Sequence, residues 1–109
     1  MIFFSSEETE DKTILFKALE ETEEYGRCTL DLSGETAVLN SLSYDPDKHY
    51  IAEGLVKTAF NYAARKNFYM GECSCENISD LLLRLGFQKK GNIYISDIPS
   101  ILMGSCCKK

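Results

Sequence analysis

Apolar and polar positions alternate along the first third of the chain, and the period then changes. Within Thr13–Glu20, "TILFKALE", the residues Ile14, Phe16 and Ala18 alternate as in a strand, while Ile14, Leu15, Ala18 and Leu19 would also line a helix face. "YGRCTLDL" and "TAVLNSLSY" read as strands joined at "SGE", where Gly34 is available for a positive φ. Two adjacent strands need partners, which favours a strand at Thr13–Glu20 that turns at Thr22 to Glu24. "MIFFS" adds a short strand before it. From Ile51 the period becomes helical: Leu55, Val56, Ala59, Phe60 and Ala63 form one stripe that runs to about Lys66, with Arg65 and Lys66 suited to the helix C-terminus. "FYMGECSC" returns to strand alternation. "NISDLLLRLG" is a short helix that Asn77 can cap and Gly86 can end. A hairpin around Lys90-Gly91-Asn92 follows, then a last turn, "PSILMG", with Pro99 near its start and Gly104 after its end.

Four strands, a long helix, a strand, a short helix and a hairpin make an α+β layer. The long helix is a crossover, so the strands flanking it lie parallel in an otherwise antiparallel sheet. The 109 residues allow one domain, 1–109, with a single core. Its 44% apolar and 27% charged residues suit a globular chain rather than a disordered one.

The net charge of −5 is uneven: eight of the 17 acids fall in the first 25 residues beside only two of the 12 bases, leaving nine acids and ten bases. No basic patch with interleaved aromatics occurs, so nucleic acid is not an expected partner. No apolar run can span a bilayer, and "MIFFSSEETED" turns acidic too early for a signal peptide, so a cytoplasmic protein without a membrane partner is expected. The five cysteines, Cys28, Cys73, Cys75, Cys106 and Cys107, are odd in number, and "CSC" and "CC" lack CxxC spacing. Free thiols are expected, not a disulfide framework or a metal site.

Candidate chemistry gathers at "DPDKHYIAEGL". A helix N-terminus exposes unpaired N–H groups and a partial positive charge, which suits a pyrophosphate. Ala52 and Gly54 are small where an anion would approach, and Lys48 and His49 add donors. A plain strand-to-helix junction reads the same way on spacing alone.

From about Gly26 to Leu102 the chain resembles the GNAT N-acetyltransferase superfamily. The resemblance is carried by "SLSYDP" before the loop and helix "HYIAEGLVKTAFNYAARKN", by a strand leading to Asn77, and by "LLLRLGF" before a closing hairpin. The family's loop pattern, (Gln/Arg)-x-x-Gly-x-(Gly/Ala), falls on His49, Ala52 and Gly54, and only Gly54 matches strictly. Its "LYEKLGF" falls on Leu81 to Phe87, with Leu82 at the tyrosine. The resemblance implies a sheet split between the fourth and fifth strands that takes acetyl-CoA as acyl donor. Pantetheine would bond backbone at Leu42, Ser43 and Tyr44. The pyrophosphate would meet N–H groups of His49, Tyr50, Ile51, Ala52, Glu53, Gly54 and Leu55, and Asn77 would touch the coenzyme unless it only caps a helix.

Acetyl transfer to an amine needs a base, an oxyanion donor and help for the departing thiolate. The resemblance makes Glu72 the base candidate, beside its reading as a solvent-facing strand residue, and assigns the oxyanion to the N–H of Leu42 or Ser43. Leu82 cannot supply the family's tyrosine acid. Cys73 or Cys75 could act as a nucleophile, though no second histidine exists to activate either. About 25 residues precede the third strand, too few for the family's first strand and two roofing helices. Three accounts of the acceptor follow: a second subunit completes the roof, the acceptor is large, or acceptor chemistry is lost. The expected activity is N-acetyl transfer to an amine of a small molecule or peptide. The alternative is a non-catalytic module that binds acyl-CoA or a protein. A homodimer is expected over a monomer.

Overall fold

A computed structural model of the chain describes residues 2–9 and 12–103; Gly104, Cys106 and Cys107 lie outside the described residues. The elements run β1 (Phe3–Glu8), β2 (Thr13–Glu20), β3 (Glu23–Asp31), β4 (Ala37–Tyr44), α1 (His49–Arg65), β5 (Met70–Cys73), α2 (Ser79–Arg84), β6 (Gln88–Lys90), β7 (Ile93–Asp97) and α3 (Ile98–Met103), with a 3-10 turn at Glu76–Ile78. Among the described residues, seven strands form one sheet in the order β1-β2-β3-β4-β5-β7-β6, and only β4 and β5 pair in parallel. This is the α+β architecture that the alternation predicts, and Thr13–Glu20 is a strand. The turn into β3 is made by Glu21, whose φ is 57°. Gly34 does not have a positive φ; Ser33 N–H instead bonds Asp31 Oδ1 at 2.8 Å and turns the chain through an aspartate side chain.

The buried stripe of α1, Ile51, Ala52, Leu55, Val56, Ala59, Phe60 and Ala63, lies on one face of the sheet against Ile14, Phe16, Ala18, Cys28, Leu30, Leu39 and Leu42. The helix begins two residues before Ile51, at His49. It ends where Asn67 turns left-handed (φ 73°): Asn67 N–H bonds Ala64 O and Phe68 N–H bonds Ala63 O, both at 3.0 Å. Two such bonds around a left-handed residue satisfy the last carbonyls of a helix. The same device closes α2. Gly86 (φ 106°) donates to Leu83 O at 3.2 Å, and Phe87 donates to Leu82 O at 3.0 Å and packs on Phe60 with ring centroids 5.9 Å apart. "LGF" is therefore a helix stop with its hydrophobic anchor.

The three helices among the described residues cover the same face of the sheet. The other face carries half-exposed Leu15, Leu19, Val38, Met70, Glu72, Ile93 and Ile95, and no helix among the described residues covers it. Only four residues separate β1 from β2, too few for a helix. No described helix is long and apolar enough to cross a membrane.

Gly71 sits on the first β4–β5 rung, opposite Ala37. A Cβ there would lie 2.6 Å from Phe60 Cε1 and 3.2 Å from Ile101 Cδ1, and both side chains are fully buried. Gly71→Ala is expected to destabilise the fold by about 1–3 kcal/mol, as overpacked cores do. Urea denaturation measures it; wild-type stability in the variant would contradict this packing.

Candidate functional site

β4 and β5 pair over three rungs only, Ala37↔Gly71, Val38↔Glu72 and Leu39↔Cys73. β5 ends there while β4 continues to Tyr44. On its other edge β4 carries a bulge: Leu39 faces Leu30 and Ser41 faces Thr29, which leaves Asn40 as the extra residue. A bulge bends its strand and sharpens the local twist. From Asn40 onward β4 has no strand beside it on the β5 side, and the sheet opens into a gap.

The backbone lining this gap can be assigned. Asn77 Nδ2 donates to Leu42 O at 3.2 Å from the β5 side, so Leu42 C=O points into the gap. A strand residue turns its N–H and C=O to the same edge, and alternate residues turn the same way. Leu42 and Tyr44 therefore face the gap, whereas Ser43 faces β3, as does Asp45, whose N–H bonds Tyr25 O at 2.9 Å. Between the two oxyanion donors left open by the sequence, Leu42 N–H is the one aimed into the gap. Ser43 has no backbone group to offer there. Asn77 is not a helix cap: it lies inside the 3-10 turn, and its amide bridges the gap.

At the mouth of the gap is a cavity of about 270 Å³ lined by Tyr44, His49 and Ala52 on one wall and by Asn77, Ile78, Ser79, Asp80, Leu81 and Arg84 on the other. Tyr44 Oη and His49 Nδ1 are 3.4 Å apart across its first wall. The loop before α1 is held by Asp45, whose main-chain carbonyl accepts from Lys48 N–H at 2.8 Å and whose Oδ1 accepts from Asp47 N–H at 3.1 Å. Lys48 turns away and stacks over Tyr25 at 5.1 Å from the ring centroid.

Several expected contacts narrow. Because α1 starts at His49, the N–H groups of Glu53, Gly54 and Leu55 belong to the helical ladder, and Ile51 N–H bonds Lys48 O at 2.9 Å. The first turn is what remains for an anion. Ile51 and Leu55 put their side chains in the core, and Tyr50 is largely exposed. Gly54 has a packing reason to be small beside the one read from its spacing. A Cβ there would overlap the Phe4 ring at Cζ, so the glycine makes room for β1. Tyr62 Oη on Glu8 Oε2 at 2.8 Å ties the same strand to the helix. Glu53 bonds Lys57 and Arg84, each at 3.2 Å, and so joins α1 to α2.

Glu72 lies on the helix-free face, beside the last rung before the gap and between Val38 and Ile95. The cavity lies on the helix side. Leu82, at the tyrosine position, is fully buried in the core and gives the cavity no hydroxyl. Cys73 and Cys75 are buried with Cys28 near Leu39, on the helix side. The Cys73 thiol bonds Cys75, which raises the Cys73 pKa and lowers that of Cys75, while burial pushes Cys28 up to about 12. No group of three or more His, Cys, Asp or Glu among the described residues is placed to hold a metal ion. Sequence reasoning missed Arg84, because its place in the cavity depends on how α2 packs on α1.

No protein-family model and no curated protein sequence matches this chain. Solved structures do. The ribosomal-protein-S18-alanine N-acetyltransferase of Escherichia coli superposes with a TM-score of 0.71 at 13% identity, over 83% of this chain and 72% of that one. A GNAT-family acetyltransferase of Staphylococcus aureus Mu50 gives 0.70 at 13% identity, over 81% and 69%. The PaiA N-acetyltransferase of Thermoplasma acidophilum, solved in complex with coenzyme A, gives 0.65 at 16% identity, over 77% and 58%. The chain has the fold of the GNAT acetyltransferases.

With a pKa of about 12, Cys28 is about one part in ten thousand thiolate at pH 8, against about a quarter for an ordinary thiol. Iodoacetamide at pH 8, read by peptide mass spectrometry, is expected to label native Cys28 at least about a hundredfold more slowly than the urea-unfolded chain. Equal rates would contradict the buried thiol cluster.

Proposed function

We propose that this chain is an acetyl-CoA-dependent N-acetyltransferase whose acceptor is an amine of a small molecule or peptide. The observation that carries the reading is the gap beyond the third β4–β5 rung, with the cavity at its mouth. The residues present fit the coenzyme's arm. Leu42 and Tyr44 offer backbone groups along an unpaired strand edge, suited to the amides of pantetheine. The first turn of α1 offers N–H groups at the positive end of a helix, suited to phosphate. Ile78 and Leu81 give the cavity an apolar wall.

When bound, acetyl-CoA supplies an acyl group already activated as a thioester. The chain's own residues do the rest. Leu42 N–H donates to the oxygen that gains charge as the amine adds, a stabilisation that needs no side chain. Glu72, on the opposite face beside the last rung, accepts the amine's proton. The helix-free face leaves room for the acceptor to approach Glu72, and nothing roofs that side among the described residues. Asn77 must release Leu42 O for pantetheine to lie along β4, and its amide is then free to bond the coenzyme. The thiolate leaves without an acid, because Leu82 is apolar and buried.

That same leucine supports a second reading, a module that binds acyl-CoA without turnover. One measurement tests what the two readings share, and a second separates them. Acetyl-CoA is expected to raise the melting temperature in either case, since a ligand held only by the folded state stabilises it by about 2.7 kcal/mol at a hundred times Kd. Glu72→Gln is expected to keep acetyl-CoA affinity and lower turnover on an amine panel by about a hundredfold or more. Full turnover in the variant removes Glu72 from the mechanism. Tight acetyl-CoA binding with no turnover by the unaltered protein on any amine favours the binding module.

A further inference from the structure

The cavity beside the gap contains one permanent cation that no part of the loop pattern supplies. Arg84 lies on the last turn of α2 and lines the wall facing His49 and Ala52. Its Nη2 lies 3.2 Å from Glu53 Oε1, on α1 one turn into the helix. Glu53 is shared: its other oxygen lies 3.2 Å from Lys57 Nζ. The three side chains together carry one net positive charge. A guanidinium has five N–H donors in a planar fork, so a single oxygen contact leaves most of them available to a second partner. The Arg84 side chain is 55% exposed, in keeping with a group held at one end and open at the other.

The rest of the cavity makes this cation count. Lys48 is drawn off to the Tyr25 ring, and Asp45 and Asp47 are acids of the adjoining loop. Asp80 on the same wall is an exposed carboxylate in the first turn of α2, and it opposes an anion. A dianionic phosphate entering this cavity finds Arg84 as its only permanently charged partner among the lining residues.

We propose that Arg84 holds a phosphate of coenzyme A, taking the place of the long polar residue that the loop lacks at His49. Glu53 meets one end of the guanidinium through a single oxygen, a contact that an amide oxygen could also accept, and the cation itself is what the phosphate requires. The proposal rests on the coenzyme binding in this cavity, and the experiment separates the two claims.

Calorimetry with coenzyme A and with pantetheine, which lacks every phosphate and the adenosine they carry, is run on the unaltered protein and on Arg84→Gln, Arg84→Lys and Glu53→Gln, the lysine variant separating loss of charge from loss of a planar group that could stack on the base. The unaltered protein is expected to bind coenzyme A at least about tenfold tighter than pantetheine, the scale of a charge-assisted hydrogen bond. Arg84→Gln should reduce that preference by about tenfold and leave pantetheine affinity unchanged, with Arg84→Lys recovering part of it as a point charge. Glu53→Gln should retain the preference, because the guanidinium remains. If Arg84→Gln keeps the full preference, or if Glu53→Gln loses as much as Arg84→Gln, Arg84 serves only as a helix–helix ion pair and the proposal is overturned. Equal affinity of the unaltered protein for both ligands overturns the phosphate role and leaves acetyl-CoA binding standing. Failure to bind either ligand overturns both.

Discussion

The architecture turns on how briefly two parallel strands stay together. β4 and β5 share three rungs because β5 stops at Cys73, while the bulge at Asn40 bends β4 away. Parallel neighbours also require a crossover, and α1 is that crossover. The strand pairing, the helix start and the gap are thus one feature seen from three sides. Past the third rung, the N–H and C=O groups of Leu42 and Tyr44 lose the partners that a sheet interior would give them. Buried backbone groups rarely remain unpaired, so a strand edge of this kind is a demand for hydrogen bonds. Asn77 meets part of that demand by reaching Leu42 O. In the proposed reading, a pantetheine arm, with its two amides, would meet it by the same chemistry.

The core explains why the three rungs hold. Gly71 lets the Phe60 ring press against β5, and Leu39 and Cys73 close the last rung from within the core. α1 is fixed from its other flank by Phe4 against Gly54 and by Tyr62 on Glu8. The first turn of α1 is therefore placed by contacts remote from it, and its own cap contributes no side-chain hydrogen bond. The two faces of the sheet then divide the work. Helices and the cavity occupy one, while Glu72 stands on the other beside half-exposed Val38 and Ile95. The gap lies where these faces meet.

Much of this was legible in the amino-acid order, because it depends on local periods. The stripe Leu55, Val56, Ala59, Phe60 and Ala63 marks α1, and strand alternation together with the need for partners marks β2. "LGF" could be read as a helix end because Gly86 must go left-handed there. The site was legible only in part. Ser43 and Leu42 are neighbours in sequence, and which of them faces the gap depends on β4's register with β3 and the bulge at Asn40. At Gly54 nothing local reveals that Phe4, fifty positions earlier, occupies the space beside it. The place of Arg84 at the cavity was not legible for the same reason: its partner Glu53 lies on another helix. Long-range packing decided each of these cases, and no period encodes it.

The central claim is that the open edge of β4 and the first turn of α1 together receive the coenzyme. Backbone amide resonances followed through a coenzyme A titration test it most directly, because they report position as well as binding. The account predicts that the largest shifts fall on Leu42, Tyr44, His49, Tyr50 and residues 77–84, with the β1–β2 hairpin and β6 unmoved. Saturable shifts centred elsewhere, or none up to millimolar coenzyme A, would contradict it.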